Sequence, residues 1–72
     1  MDIRKRLATN LRRLRTERGW SQEGFGYEAG IHRTYISDLE RGTRNPSLEL
    51  LEKLAKSLGV TASTLIAEPE QP

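Results

Sequence analysis

Glycines and small polar residues cut this chain into short segments, and that punctuation limits its fold more than any other feature. Gly19, Gly30, Gly42 and Gly59 each close a stretch with apolar residues three or four positions apart, the spacing that lines one face of a helix. A glycine just past such a stretch is a natural stop, because it takes the left-handed conformation without steric cost. Ser21, Ser47 and Thr61 stand where the next helix would begin, and their hydroxyls can accept from the free N–H groups of a first turn. No stretch reads as a strand, and no proline interrupts a helical segment. The pattern predicts five short helices in one all-α domain.

The first helix carries Ile3, Leu7, Leu11 and Leu14 on one stripe, with Arg4, Lys5, Arg12 and Arg13 pointing elsewhere. Trp20 follows its stop and covers the edge of the core. The second runs from Ser21 to about Ala29, with Glu23 in its first turn and Phe25 and Ala29 on its buried face. Gly24 and Gly26 lie inside it, and each costs roughly 1 kcal/mol relative to Ala in a helix interior. In the third, residues 32–41, Ile36 and Leu39 face inward and leave Arg33, Thr34, Ser37 and Asp38 outside. A loop, Thr43 to Pro46, leads to the fourth helix with its stripe Leu48, Leu51, Leu54, Ala55 and Leu58; the fifth runs from Thr61 to about Ala67. The domain is expected to span 1–67, with 68–72 a frayed, disordered tail.

Composition excludes several activities. A chain of 72 residues without cysteine has one modest core, hiding only about 60% of the surface its unfolded form exposes. It has little room for a deep substrate cavity and no disulfide or thiolate chemistry. One histidine and no convergent carboxylate pair leave no acid–base, nucleophilic or metal-binding constellation, so neither an enzyme nor a cofactor or metal site is expected. Apolar runs such as Leu50-Leu51 and Leu65-Ile66 fall far short of the roughly 20 residues that span a bilayer. Arg4, Lys5 and Arg6 lead into an arginine-studded helix instead of the apolar block of a signal peptide, so a cytoplasmic location is expected.

The net charge of +2 says less than its distribution. Residues 1–18 hold Arg4, Lys5, Arg6, Arg12, Arg13, Arg15 and Arg18 against Asp2 and Glu17, an excess of +5. Residues 19–46 sum to −1 and residues 47–72 to −2. The basic end is either a surface for a polyanion or a solvated helix face.

Helices two and three with the turn around Gly30 have the layout of a helix-turn-helix, in which the first helix crosses the DNA backbone and the second enters the major groove. On spacing alone a plain helical hairpin remains open. Residue types add more. Leu11-Arg12-Arg13-Leu14-Arg15, Ser21-Gln22-Glu23, Ala29-Gly30-Ile31 and Ile36-Ser37-Asp38-Leu39-Glu40-Arg41-Gly42 resemble the lambda-repressor-like (Cro/cI-type, XRE) helix-turn-helix family. Arg44-Asn45-Pro46-Ser47-Leu48 and Leu54-Ala55-Lys56-Ser57-Leu58-Gly59-Val60 are similar to that family's fourth helix and its exit. The string His32 to Ser37, with Glu40-Arg41 and Arg44-Asn45, is also similar to controller proteins of restriction-modification systems.

The resemblance implies a compact five-helix DNA-binding domain with its helix-turn-helix at about 21–42. It further implies a sequence-specific regulator, such as a repressor, of prokaryotic or phage type, acting on nucleoid DNA. Its partner is double-stranded DNA, bound at a palindromic operator by a homodimer. Arg33 and Thr34 match base-reading positions, with Ser37 and Asp38 one turn later. Arg33 can bind guanine O6 and N7 bidentately, and Asp38 either accepts from cytosine N4 or orients Arg33. Gln22, His32, Tyr35, Arg41, Arg44, Asn45 and Ser47 fall where phosphate is touched. For Gln22 and Arg41 the plainer alternative is a solvated side chain; for Tyr35 it is ring packing, and for His32 an N-cap. Arg15 and Glu40 match a structural salt bridge between helices one and three, and the other arginines of helix one would supply the general field and flanking phosphate contacts. Leu65 and Ile66, on a helix too short to bury both, are expected at the dimer interface. The family usually has leucine at the position of Phe25 and alanine at that of Gly26, a departure expected to weaken helix two. An antitoxin or adaptor gripping a toxin or RNA polymerase is the alternative reading.

Overall fold

A computed structural model describes residues 2–69, which form five helices and no strand. They are α1 (Ile3–Glu17), α2 (Gln22–Ala29), α3 (Arg33–Glu40), α4 (Leu48–Leu58) and α5 (Ala62–Ile66). Every helix starts on a side-chain cap. Asp2 accepts from the N–H of Arg4, Ser21 from Gly24, His32 from Thr34, Ser47 from Leu50 and Thr61 from Thr64. Each cap satisfies an N–H left free in a first turn and is worth about 1 kcal/mol. The N–H of Arg4 on the Asp2 carboxylate also holds that acid below its ordinary range.

α1 packs on α3 and α5, α2 on α3 and α4, and α4 on α5. The stripes read from the sequence meet in one core, in which Leu11, Phe25, Ile36, Leu39, Leu54, Leu58 and Leu65 are fully enclosed. Trp20 stacks on Phe25 with ring centroids 5.9 Å apart, closing the core edge. Ile3 departs from the expected stripe. It is half exposed in the first turn of α1, at the rim of a groove with Leu48, Pro46 and Ile66.

Asn10 is a core position that the apolar pattern passed over. It lies three residues after Leu7 and four before Leu14, on the buried stripe, and only 1% of it is accessible. Its amide donates to the carbonyls of Leu65 (2.8 Å), Ala67 (2.9 Å) and Thr64 (3.3 Å). These are the free carbonyls at the end of α5, so one buried amide stops the shortest helix where no glycine does. The Arg6 Nε donates to the remaining carbonyl, that of Ile66, at 2.9 Å.

Leu65 corrects the expected dimer surface. Its side chain is 0% exposed, sealed into the core of its own chain where α5 lies against α1 and α4. A five-residue helix does bury one of its two large apolar side chains completely, and only Ile66 remains partly accessible. Of the expected tail, Glu68 pairs with Arg6 at 3.2 Å, and residues 70–72 lie outside the described residues.

Candidate nucleic-acid interface

The turn between α2 and α3 is built around two glycines. Gly30 closes α2 with φ 69°, and the Ile31 N–H returns to the Gly26 carbonyl at 2.8 Å, the hydrogen bond that folds a chain back over a helix end. Gly26 itself is buried, and a Cβ there would lie 2.4 Å from the Ile31 carbonyl oxygen. The departure that looked like a weakened helix is the condition for this close approach. The Lys53 ammonium donates to the Gly30 carbonyl at 3.3 Å, tying the turn to α4. His32 then starts α3 by accepting from the Thr34 N–H through Nδ1 at 3.1 Å, so the neutral ring carries its proton on Nε2.

The first turn of α3 presents Arg33 and Thr34 to solvent. Among the described residues the Arg33 side chain has no hydrogen bond or ion pair. One turn on, the side chains engage each other. Asp38 Oδ1 accepts from Arg41, and Oδ2 accepts from the Arg44 Nε at 3.2 Å. Ser37 accepts from Arg41 at 3.3 Å. The Arg44 guanidinium lies 4.7 Å above the Tyr35 ring, so Tyr35 both packs on the core and carries a cation. Asp38 therefore does not orient Arg33. Five residues along a helix is a rotation of about 140°, which puts the two on different faces. Asn45 and Ser47 are exposed at the loop end and at the start of α4.

Behind this face lies one buried carboxylate. The Glu40 side chain is fully covered and accepts from Arg15 Nε at 2.6 Å, Arg15 Nη2 at 2.9 Å and Gln22 Nε2 at 3.2 Å. Arg12 stands 3.5 Å away. Burial by itself would raise the Glu40 pKa, but the Arg15 and Gln22 hydrogen bonds and the two guanidinium charges reverse this and hold it below its ordinary value. The Glu40 hydrogen bonds in turn raise Arg15. Arg15 also donates to the Trp20 carbonyl at 2.9 Å, so the pair joins α1, α3 and the start of α2. Gln22, placed among the phosphate contacts, thus has an internal partner.

Several arginines of α1 have partners inside the fold. Arg18 caps the end of α4 through the Leu58 carbonyl, Arg6 caps α5, Arg12 and Arg15 face Glu40, and Arg13 pairs with Glu17 at 3.4 Å. Arg12 and Arg13 nonetheless keep 62% and 47% of their side chains accessible. On α3 and the loop that follows, the exposed basic groups are Arg33, Arg41 and Arg44.

A helix-turn-helix family model matches residues 11–65. The chain is 43% identical over 70 residues to a hypothetical transcription factor of Neisseria meningitidis serogroup B, covering 97% of this chain and 66% of that protein. The crystal structure of a hypothetical transcription factor from Neisseria superposes with a TM-score of 0.90 at 44% identity, over 94% of this chain and 78% of that one. Control protein C.BamHI of Bacillus amyloliquefaciens is 46% identical over 66 residues, 90% of this chain and 82% of its own. The restriction-modification controller protein C.Esp1396I, solved as a tetramer with its natural 35 base-pair operator, superposes with a TM-score of 0.80 at 31% identity, over 90% of this chain and 86% of that one. Five capped helices, a glycine-built turn and a match running from Leu11 to Leu65 agree: the chain belongs to the helix-turn-helix family.

Proposed function

We propose that this chain is a sequence-specific transcriptional regulator that binds double-stranded DNA by seating α3 in the major groove. The observation that carries the reading is Arg33, exposed and without a partner among the described residues at the first turn of α3. A solvated guanidinium on a short rigid helix is free to take guanine O6 and N7, with Thr34 and Ser37 reading beside it. Arg41, Arg44, Asn45 and the start of α4 at Ser47 contact phosphate. Gln22, His32 through Nε2 and the Tyr35 hydroxyl complete those contacts. The likeness to C.BamHI and to the operator-bound C.Esp1396I supports a controller-type regulator working on nucleoid DNA in the cytoplasm.

One recognition helix reads too few base pairs for an operator, so a homodimer on a palindrome is proposed, with half-sites about 34 Å apart. Its surface is the groove edged by Leu48, 81% exposed, and Ile66, not Leu65. A duplex titration across salt tests the reading. Binding through several arginine–phosphate contacts weakens steeply as salt rises, and Arg33→Ala relaxes base preference more than Arg44→Ala does. Equal losses on specific and random duplexes in both variants would contradict the assigned roles. A second protein co-purifying on the Leu48 face, with no selective DNA binding, would favour the adaptor reading with a toxin or RNA polymerase as partner.

A further inference from the structure

We propose that Asp38 is a positioning residue that sets selectivity by holding Arg41 and Arg44 as a braced pair, and that it reads no base itself. The proposal rests on the reading that α3 enters the major groove, and it assigns a new role within that site.

Both Asp38 oxygens are already engaged by different cations, one on α3's own C-terminal cap and one on the following loop. Only 14% of its side chain is accessible. A carboxylate so covered is poorly placed to accept from a cytosine amino group. Its backbone serves the same end, because the Asp38 carbonyl accepts from the Thr43 N–H at 3.1 Å and from the Thr43 hydroxyl at 3.0 Å. The loop carrying Arg44 is thereby tied to α3, and the Tyr35 ring supports that guanidinium from a second direction. Arg41 and Arg44 are long side chains, and each would otherwise sample many rotamers and repel the other.

Two consequences follow from one charge. The carboxylate fixes where the two guanidiniums sit, which favours a duplex whose phosphates match that spacing. It also cancels one of their two charges and repels phosphates that arrive out of register, which weakens random binding. Asp38 therefore raises the ratio of selective to random affinity from both sides, while Arg33 does the reading.

Asp38→Asn keeps the shape and removes the charge. The test measures affinity for a selected duplex and for a random duplex across a salt series, in the unsubstituted chain, in Asp38→Asn and in Asp38→Asn with Arg44→Gln. The expected result is a selectivity ratio lower by about tenfold, with random binding tightened and its log–log salt slope steeper by about one. With Arg44→Gln already present, Asp38→Asn lowers the selectivity ratio by less than it does alone, a non-additivity that a merely structural role would not produce. Unchanged far-ultraviolet circular dichroism shows that α3 is retained, and Arg44→Gln alone on the same duplexes completes the cycle; should Asp38→Asn unfold, Arg44→Gln by itself must still lower the selectivity ratio, and its equal loss on both duplexes then overturns the proposal. Equal loss on both duplexes overturns the proposal, as does a loss of preference confined to one base pair, the mark of a base reader. No selective binding by the unsubstituted chain overturns the DNA reading itself.

Discussion

Replacing Glu40 by Gln removes the charge at a fully covered side chain while keeping its volume. Three side chains converge on that carboxylate, Arg15 and Gln22 through three hydrogen bonds at 2.6–3.2 Å and the Arg12 guanidinium at 3.5 Å. After the substitution Arg15, only 13% accessible, faces an amide whose NH2 cannot accept. Removing one partner of a buried pair costs about 3–5 kcal/mol. Arg15 keeps the Trp20 carbonyl and Arg12 is free to turn to solvent, so the lower end, about 3 kcal/mol, applies. For 72 residues the total is about 4–11 kcal/mol, from about 0.05–0.15 kcal/mol per residue, so the variant folds but loses a large share. Urea unfolding followed by Trp20, the single tryptophan, reads this directly, since its stacking on Phe25 is lost on unfolding. The melting temperature falls by about 12–24 °C. The pH dependence is a second readout. Because the folded Glu40 pKa lies below its ordinary value of 4.5, the stabilisation is complete well above that value and is lost as pH falls through the folded pKa. The gap between the two proteins is therefore wide at neutral pH and closes in acid. A loss below about 1 kcal/mol, the size of an exposed pair, would refute the reasoning. So would a gap of constant size down to the acid transition.

Three further outcomes are expected. Gly26→Ala gains roughly 1 kcal/mol of helix propensity, but its Cβ meets the Ile31 carbonyl at 2.4 Å, and overpacking costs about 1–3 kcal/mol; a lower urea midpoint is expected, and a higher one would remove the role given to that close approach. Asn10→Ala leaves the α5 carbonyls without their donor and costs about 1–3 kcal/mol, with faster hydrogen exchange of the α5 amides; unchanged exchange would show that Arg6 and core packing hold α5 alone. Leu48→Glu places a charge in the proposed dimer surface without touching the core, so sedimentation shifts toward monomer while the monomer's thermal stability holds; an unaltered dimer would move the interface elsewhere.

The helix boundaries were legible because their signals are local. Ser21, Ser47 and Thr61 cap and Gly30 and Gly59 stop where the sequence placed them, since a cap or a left-handed stop depends on residues within one turn. What escaped depends on neighbours distant in sequence. Asn10 showed only as a polar residue on an apolar stripe, and its partners lie more than fifty positions away. Leu65 and Ile66 are equivalent in pattern, and only the path of α5 against α1 and α4 separates the buried one from the accessible one. The basic excess of α1 was legible as a charge run, but that Arg6 and Arg18 also end other helices depends on where α5 and α4 pass. Asp38 could be placed near the reading helix, but its choice of Arg41 and Arg44 over Arg33 follows from a loop whose course only the structure defines.

Selection of bound sequences from a random duplex pool reports the specificity, symmetry and spacing of a DNA-binding dimer together. An inverted repeat with half-sites about 34 Å apart, one helical turn, is expected to be enriched, with preference at the contacted guanine lost when Arg33 is replaced by Ala. A pool that stays random, or an unrepeated motif that Arg33→Ala leaves unchanged, would contradict the DNA reading.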